Sequence, residues 1–372
     1  MPAHDEPART TGVLNQLVDS SVTLIESLQD PSGAYPASPT FSAYRGYCWL
    51  RDGSFIADGM SAAGVPDSAD RFFGWCARAV DRYRGPIEAA ESARAAGLAV
   101  DPALLPPTRF TLSGEVSDVG WWDFQTDGYG TWLWALSEHI RRGAELRDEW
   151  RSAIVSTVRF LVATWDLPCY DWWEESKDQR HVSTLGCVAV GLERAVADGW
   201  LDSSLAESAT SAAQSIRGLV ATLGTHEGRL AKWLGSTDLD ASLLALVTMG
   251  YLDDEPGVAR ATVEAVGDTL VASGGVHRYL DDVFYGGGLW PLLTCFLGLA
   301  ELRVGHPELA SLRRAFAAST ATAAGDMPEQ VTDHLLAPEH RQEWLDRWGP
   351  VATPLLWSHA MYVRLAVEEA KS

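Results

Sequence analysis

Apolar side chains return every three or four residues along most of this chain, the spacing of one helix face. Leu14, Leu17, Val18, Ile25 and Leu28 form one such stripe. Leu289, Leu292, Leu293, Phe296 and Ala300 form another, and Leu356, Ala360, Val363 and Val367 a third near the C-terminus. Alanine-rich stretches at 202–223 and 308–324 add high helix propensity. The pattern predicts about twelve helices, near 11–29, 52–64, 67–84, 87–98, 129–145, 147–166, 182–198, 202–223, 238–250, 256–272, 288–304 and 307–323, with a C-terminal one near 352–370. The 87–98 segment is the least regular of these. No run alternates as a strand does, so the expected fold is all-α. No Pro/Ser-rich linker divides residues 1–372, which predicts a single domain.

Between the helices, aromatic, glycine and charged residues concentrate at 44–53, 114–130, 168–181, 226–238, 277–290 and 325–350. Long polar loops that carry aromatics are where function tends to sit. They alternate with helix pairs. In a toroid of paired helices, all of them gather at one end and surround a single pocket.

Composition narrows the partners. The net charge is −21, so a nucleic-acid ligand is excluded in practice, because phosphate binding needs a basic surface. An anionic membrane is disfavoured for the same reason, whereas a neutral ligand needs no charge steering. Five widely spaced cysteines (Cys48, Cys76, Cys169, Cys187 and Cys295) form no CxxC pair and read as buried thiols in a reducing compartment. MPAHDEPARTTG has no basic n-region or apolar h-region, and no apolar run reaches the roughly 18 residues of a membrane span. The expected setting is cytoplasmic. The nine histidines show no HExxH spacing, so neither a metal nor a cofactor is expected. Nothing in the sequence signals an oligomeric state.

The candidate chemistry is carboxylate chemistry. In Tyr170-Asp171-Trp172-Trp173-Glu174-Glu175-Ser176, adjacent carboxylates repel each other and indoles desolvate them, both of which favour a protonated carboxyl fit for a general acid. A solvated loop with two surface glutamates is the competing reading. Met327-Pro328-Glu329-Gln330-Val331 gains interest through pairing, since hydrolysis of a glycoside by inversion needs two carboxyls flanking the scissile bond with room for water. Arg51 and Asp52, in Tyr47-Cys48-Trp49-Leu50-Arg51-Asp52-Gly53, could fork around sugar hydroxyls, or Asp52 could simply cap the following helix. Trp121-Trp122-Asp123-Phe124-Gln125-Thr126-Asp127 reads as a stacking platform with polar readers, or as a core cluster. Arg278, Tyr279 and Trp290 flank Gly286-Gly287-Gly288, which lacks the spacing of a nucleotide loop.

Together these segments resemble glycoside hydrolase family 15, the glucoamylase and glucodextranase family, in order from about residue 40 to the C-terminus. YCWLRDGSF, QTDGYGTWLWAL, WWEESKDQRHVSTLGCVAVGLERA, LDASLLAL, GGVHRYLDDVFYGGGLWPLL and MPEQV through LLWSHAMYVRLA carry the likeness. The resemblance implies an (α/α)6 barrel and inverting release of β-glucose from a non-reducing end, with a small oligosaccharide as partner. It implies Glu174 as general acid, Glu329 as general base and Glu175 on the leaving sugar. Arg51 and Asp52 would hold the non-reducing glucose. Tyr47, Trp49, Trp121, Gln125 and Arg278 would line the site, and Trp122, Asp127, Trp173, Tyr279, Trp290 and Gln330, in the same segments, are expected to bind the substrate with them. The chain has no room for the β-sandwich domain of polysaccharide-active bacterial members and shows no starch-binding module. That points to isomaltose or a short α-1,6-glucooligosaccharide. An α-1,4-glucoamylase, a trehalase, a phosphorylase on a related barrel and a non-catalytic sugar-binding protein remain alternatives.

Overall fold

The computed structural model describes residues 6–116 and 124–372. Among the described residues there are fourteen α-helices: α1 (Glu6–Leu28), α2 (Leu50–Ala62), α3 (Pro66–Asp81), α4 (Arg84–Ala95), α5 (Asp127–Arg141), α6 (Asp148–Thr164), α7 (Val182–Ala197), α8 (Ser203–Leu223), α9 (Leu244–Met249), α10 (Pro256–Thr269), α11 (Pro291–Val304), α12 (Pro307–Ser319), α13 (Arg341–Trp348) and α14 (Leu356–Glu369). The strands among the described residues are three short antiparallel pairs: β1 (Tyr47–Trp49) with β2 (Arg109–Thr111), β3 (Thr225–His226) with β4 (Arg229–Leu230), and β5 (Val271–Ala272) with β6 (Gly275–Val276).

Six helices close a ring. α2 packs on α5, α5 on α7, α7 on α9, α9 on α11, α11 on α14, and α14 returns to α2. The other six barrel helices, α1, α3, α6, α8, α10 and α12, alternate with these along the chain and cover them from outside. This is an (α/α)6 barrel. Sequence sorts the two rings. Leu50–Ser61 of α2, Val182–Leu192 of α7 and Pro291–Glu301 of α11 are buried without a break, as a helix walled on all sides must be. Outer α8 buries a stripe only, Leu205, Ala209, Ala212, Ala213, Ile216 and Val220. α5 and α7 cross so closely that a Cβ on Gly130 would lie 2.2 Å from the Cys187 carbonyl oxygen, so the contact requires glycine.

The weak 87–98 segment is a real helix, α4, but it packs on α6 outside both rings. α13 was not expected from the apolar spacing, and none of its residues is fully buried. α9 is shorter than the 238–250 expectation, because a 3-10 turn at Ala241–Leu243 precedes it. The capping reading of Asp52 is corrected. α2 begins at Leu50 with Trp49 as its N-cap, so Asp52 sits within the first turn.

The inner helices share one direction with respect to the site. Trp49–Asp52, Gln125–Asp127, Asp240, Trp290 and Leu355–Trp357 all lie at or just before inner-helix N-termini. The loops therefore gather at one end, and the positive ends of the helix dipoles face it. Below them the barrel axis is filled by aromatic rings. Phe55 stacks on Trp357 at 5.6 Å, meets Phe296 edge-on at 5.0 Å and tilts against Trp172 at 5.8 Å. Such pairs contribute about 0.5–1.5 kcal/mol each beyond burial. They form a rigid floor.

Candidate active site

Above this floor lies a cavity of about 330 Å³, at the small end for ligand pockets. Its walls include Tyr44, Trp49, Arg51, Asp52, Trp172, Trp173, Glu174, Glu175, Arg278, Trp290, Glu329 and Trp357. Glu174 and Glu329, 155 residues apart, thus share one chamber.

Each carboxylate is held by its own aromatic donor. Trp49 Nε1–H donates to Glu174 Oε1 at 2.6 Å, and Gln125 Nε2 reaches the same oxygen at 3.4 Å. Both donors fix Oε1 as an acceptor, so a proton on Glu174 belongs on Oε2. The Tyr44 hydroxyl donates to Glu329 Oε1 at 2.7 Å. The rings of Tyr44 and Trp49 meet edge-on at 5.5 Å, so one aromatic pair spans the two carboxylates.

The turn bearing Glu174 is strained. Glu174 has φ 63° and Ser176 φ 49°, a region that side chains other than glycine seldom adopt. Asp171 over-determines the turn. Its Oδ1 accepts from Trp173 N at 3.0 Å and Glu175 N at 2.8 Å, while Glu174 N donates to the Asp171 carbonyl. Burial pushes the Asp171 carboxyl up to about 7, with the Asp240 charge adding to the shift. Glu175 points to the other side, where Tyr279 donates to it and Arg278 Nη2 lies 3.4 Å away.

Glu329 sits on an irregular segment whose backbone is fully tied to α14 and its approach. Met327 N donates to His359 Nε2 at 2.9 Å, Ser358 Oγ to the Pro328 carbonyl at 2.9 Å, and Glu329 N to the Ala352 carbonyl at 2.9 Å. Burial pushes the Glu329 carboxyl up to about 7, against the pull of the Tyr44 hydrogen bond and the Arg278 charge. Glu329 Oε2 is buried with no protein donor among the described residues, the position a water or sugar hydroxyl would fill.

Arg51 is 4% exposed and donates to Gln125 Oε1 at 2.8 Å and Asp127 Oδ2 at 2.9 Å. Its Nε lies 3.4 Å from Asp52 Oδ2. Burial pushes Asp52 up to about 7, Arg51 opposing and Glu174 reinforcing. The pair faces the cavity as a donor beside an acceptor, the arrangement that adjacent sugar hydroxyls need.

The remaining expected residues divide. Four residues expected to bind the substrate are not in the cavity wall: Asp127, Gln125 and Gln330 are buried behind it and Tyr279 is half-buried beside it; Asp127 and Gln125 hold Arg51, Tyr279 holds Glu175, and Gln330 bonds Gly288 N and the Phe284 carbonyl. Tyr47 lies away from the cavity lining, under the Arg109 guanidinium at 4.2 Å. Trp121 and Trp122 lie outside the described residues. Sequence reading missed Tyr44, Trp344 and Trp348 as lining residues and His359 as a support. Tyr44 stood at the edge of a loop already marked, whereas nothing in the apolar pattern marked α13. Among the described residues no three His, Cys, Asp or Glu side chains converge as a metal cage. No helix among them is long and apolar enough to cross a membrane.

The model of Glycosyl hydrolases family 15 matches residues 12–345. The chain belongs to this family. It is a glycoside hydrolase. An isomaltose glucohydrolase of Kribbella flavida is 46% identical over 370 residues, covering 97% of this chain and 96% of that protein. A trehalase of Mycolicibacterium smegmatis is 27% identical over 285 residues, 70% of this chain but 42% of its own length. A glycosidase variant solved in complex with glucose superposes with a TM-score of 0.94 at 44% identity, over 100% of this chain and 99% of that one.

Proposed function

We propose that this family 15 member is an inverting exo-α-glucosidase that releases β-D-glucose from the non-reducing end of isomaltose and short α-1,6-glucooligosaccharides. The observation that carries the reading is the placement of Glu174 and Glu329 in one cavity, each on its own donor and bridged by the Tyr44–Trp49 pair. The close, full-length likeness to an isomaltose glucohydrolase supports the linkage. The small cavity volume supports a short substrate. We also read residues 1–372 as one catalytic domain, because one continuous core runs through both rings. A cytoplasmic setting fits five cysteines that are all buried and unpaired.

In this mechanism the terminal glucose sits on the aromatic floor, with its distal hydroxyls between Arg51 and Asp52. Glu174 gives the proton on Oε2 to the glycosidic oxygen, and the C–O bond to the leaving sugar breaks. A water held by Glu329 attacks the anomeric carbon from the opposite face and passes a proton to that carboxylate. The oxocarbenium character of the transition state is stabilised by the carboxylates around it. The released glucose carries inverted configuration. No covalent intermediate forms, and the two carboxyls return to their starting states by proton exchange with solvent.

Proton NMR of fresh hydrolysate from isomaltose, maltose and trehalose, with and without phosphate, tests this. The expected result is β-glucose first from isomaltose, preferred over the other two, with no phosphate requirement. An initial α anomer, or strict dependence on phosphate, refutes it.

A further inference from the structure

Behind the wall that carries Trp173 and Glu175 lies a buried ion pair. Lys232 Nζ and Asp240 Oδ2 are 3.1 Å apart, and the two residues are 7% and 1% exposed. Two buried charges are costly, and breaking such a pair strands one of them. Hydrophobic packing would fill this position more simply, so the contacts of the pair matter.

Those contacts converge on the leaving-group side. Asp240 accepts from Trp173 Nε1–H with both oxygens, at 3.1 and 3.0 Å. The Lys232 ammonium sits 3.3 Å from the centre of the Tyr279 ring. The Tyr279 hydroxyl donates to Glu175 Oε2. Asp240 is tied to this wall by its backbone neighbour too, since Ala241 N donates to the Arg278 carbonyl at 2.8 Å. The pair therefore fixes the indole on one side of Glu174 and, through a cation–π contact, the carboxylate on the other.

We propose that Lys232 and Asp240 are positioning residues for the leaving sugar. They set the angle of Trp173 and the reach of Glu175, and so govern affinity for the second sugar ring rather than the chemistry at the anomeric carbon. The proposal rests on the α-glucosidase reading above. It deepens that reading by assigning substrate discrimination to a pair that touches no substrate.

The test compares isomaltose with α-glucosyl fluoride, whose leaving group is a single atom and makes no use of a second sugar site. Wild-type protein turning over both substrates with inversion secures the functional reading separately from the proposal. The double variant Lys232→Met/Asp240→Asn removes both charges while keeping an acceptor for Trp173. Its kcat/KM for isomaltose falls about tenfold, mainly through KM, the scale of one lost desolvated cation–π contact. Its kcat/KM for the fluoride stays within about twofold. Lys232→Arg restores most of the isomaltose activity. Tyr279→Phe, which keeps the ring and loses only the hydroxyl, shifts the same substrate ratio even if the double variant does not fold. Equal loss on both substrates in a folded variant, or an unchanged ratio in Tyr279→Phe, overturns the proposal.

Discussion

Replacing Tyr44 by Phe isolates one hydrogen bond at the base. The ring keeps its contacts, tilted on Phe41 at 4.5 Å and edge-on to Trp49 at 5.5 Å, so the fold is undisturbed. What disappears is the donor 2.7 Å from Glu329 Oε1. A hydrogen bond to a charged group contributes about 1.5–3 kcal/mol, and about 1.36 kcal/mol moves a pKa by one unit. The Glu329 carboxyl, held near 7 with the bond present, therefore rises by about one to two units without it. A general base acts only as carboxylate, so its activity is lost as pH falls through its pKa. Well below that value each unit of rise lowers the ionised fraction about tenfold. At pH 6 the loss in kcat/KM is then about 10- to 100-fold, and the acid limb of the profile moves upward. Initial rates on isomaltose across pH 5–9 measure both. An unchanged limb and unchanged kcat/KM at pH 6 refute the assignment of Glu329 as base, the role of Tyr44, or both; Glu329→Gln separates the two by losing activity only if it is the base.

Three further predictions concern the frame. His359 accepts from Met327 N and bonds Ser21 Oγ at 2.8 Å, and burial pushes its imidazole down to about 4. Its folded pKa is depressed, so the unfolded chain binds the extra proton and stability falls as pH drops from about 6.5 to about 4, by roughly 3 kcal/mol in total. His359→Gln removes that slope in chemical denaturation followed at several pH values; an identical slope refutes the point. Arg364→Met leaves Asp58, 2% exposed, with Arg142 as its remaining partner at 2.6 Å, and costs about 3 kcal/mol of stability. Activity per folded molecule stays near wild type, because Asp58 lines a separate cavity that neither glutamate enters. Gly130→Ala forces a methyl to within 2.2 Å of the Cys187 carbonyl oxygen. It lowers the melting temperature by several degrees, or prevents folding, whereas Gly257→Ala, where a Cβ meets nothing within 4 Å, does not.

Much of the barrel is written in the spacing of apolar residues. Each barrel helix must bury a face, and outer α8 buries a stripe while inner α7 and α11 are buried without a break over most of their length, small polar residues included. The loops rich in aromatics were equally legible, because residues that serve a ligand do not follow a helical period. Glu174, Glu329, Arg51 and Asp52 were marked on those grounds and on short motifs. α13 lies inside one of these loops, 325–350, yet the apolar spacing does not show it as a helix, since it has no buried face of its own.

Which of the marked residues face the chamber was decided only by tertiary structure. Gln125 and Gln330 are both expected at the site from the sequence, yet one braces the arginine and the acid while the other pins a glycine backbone. Asp127 is expected from the sequence to touch the sugar but is wholly buried behind Arg51. Tyr44 and Glu329 are 285 positions apart and meet only because α14 closes the ring on α2. Periodicity is a local property, and one chain carries it at every residue. A contact across a closed barrel depends on where the last helix returns, which no single segment encodes.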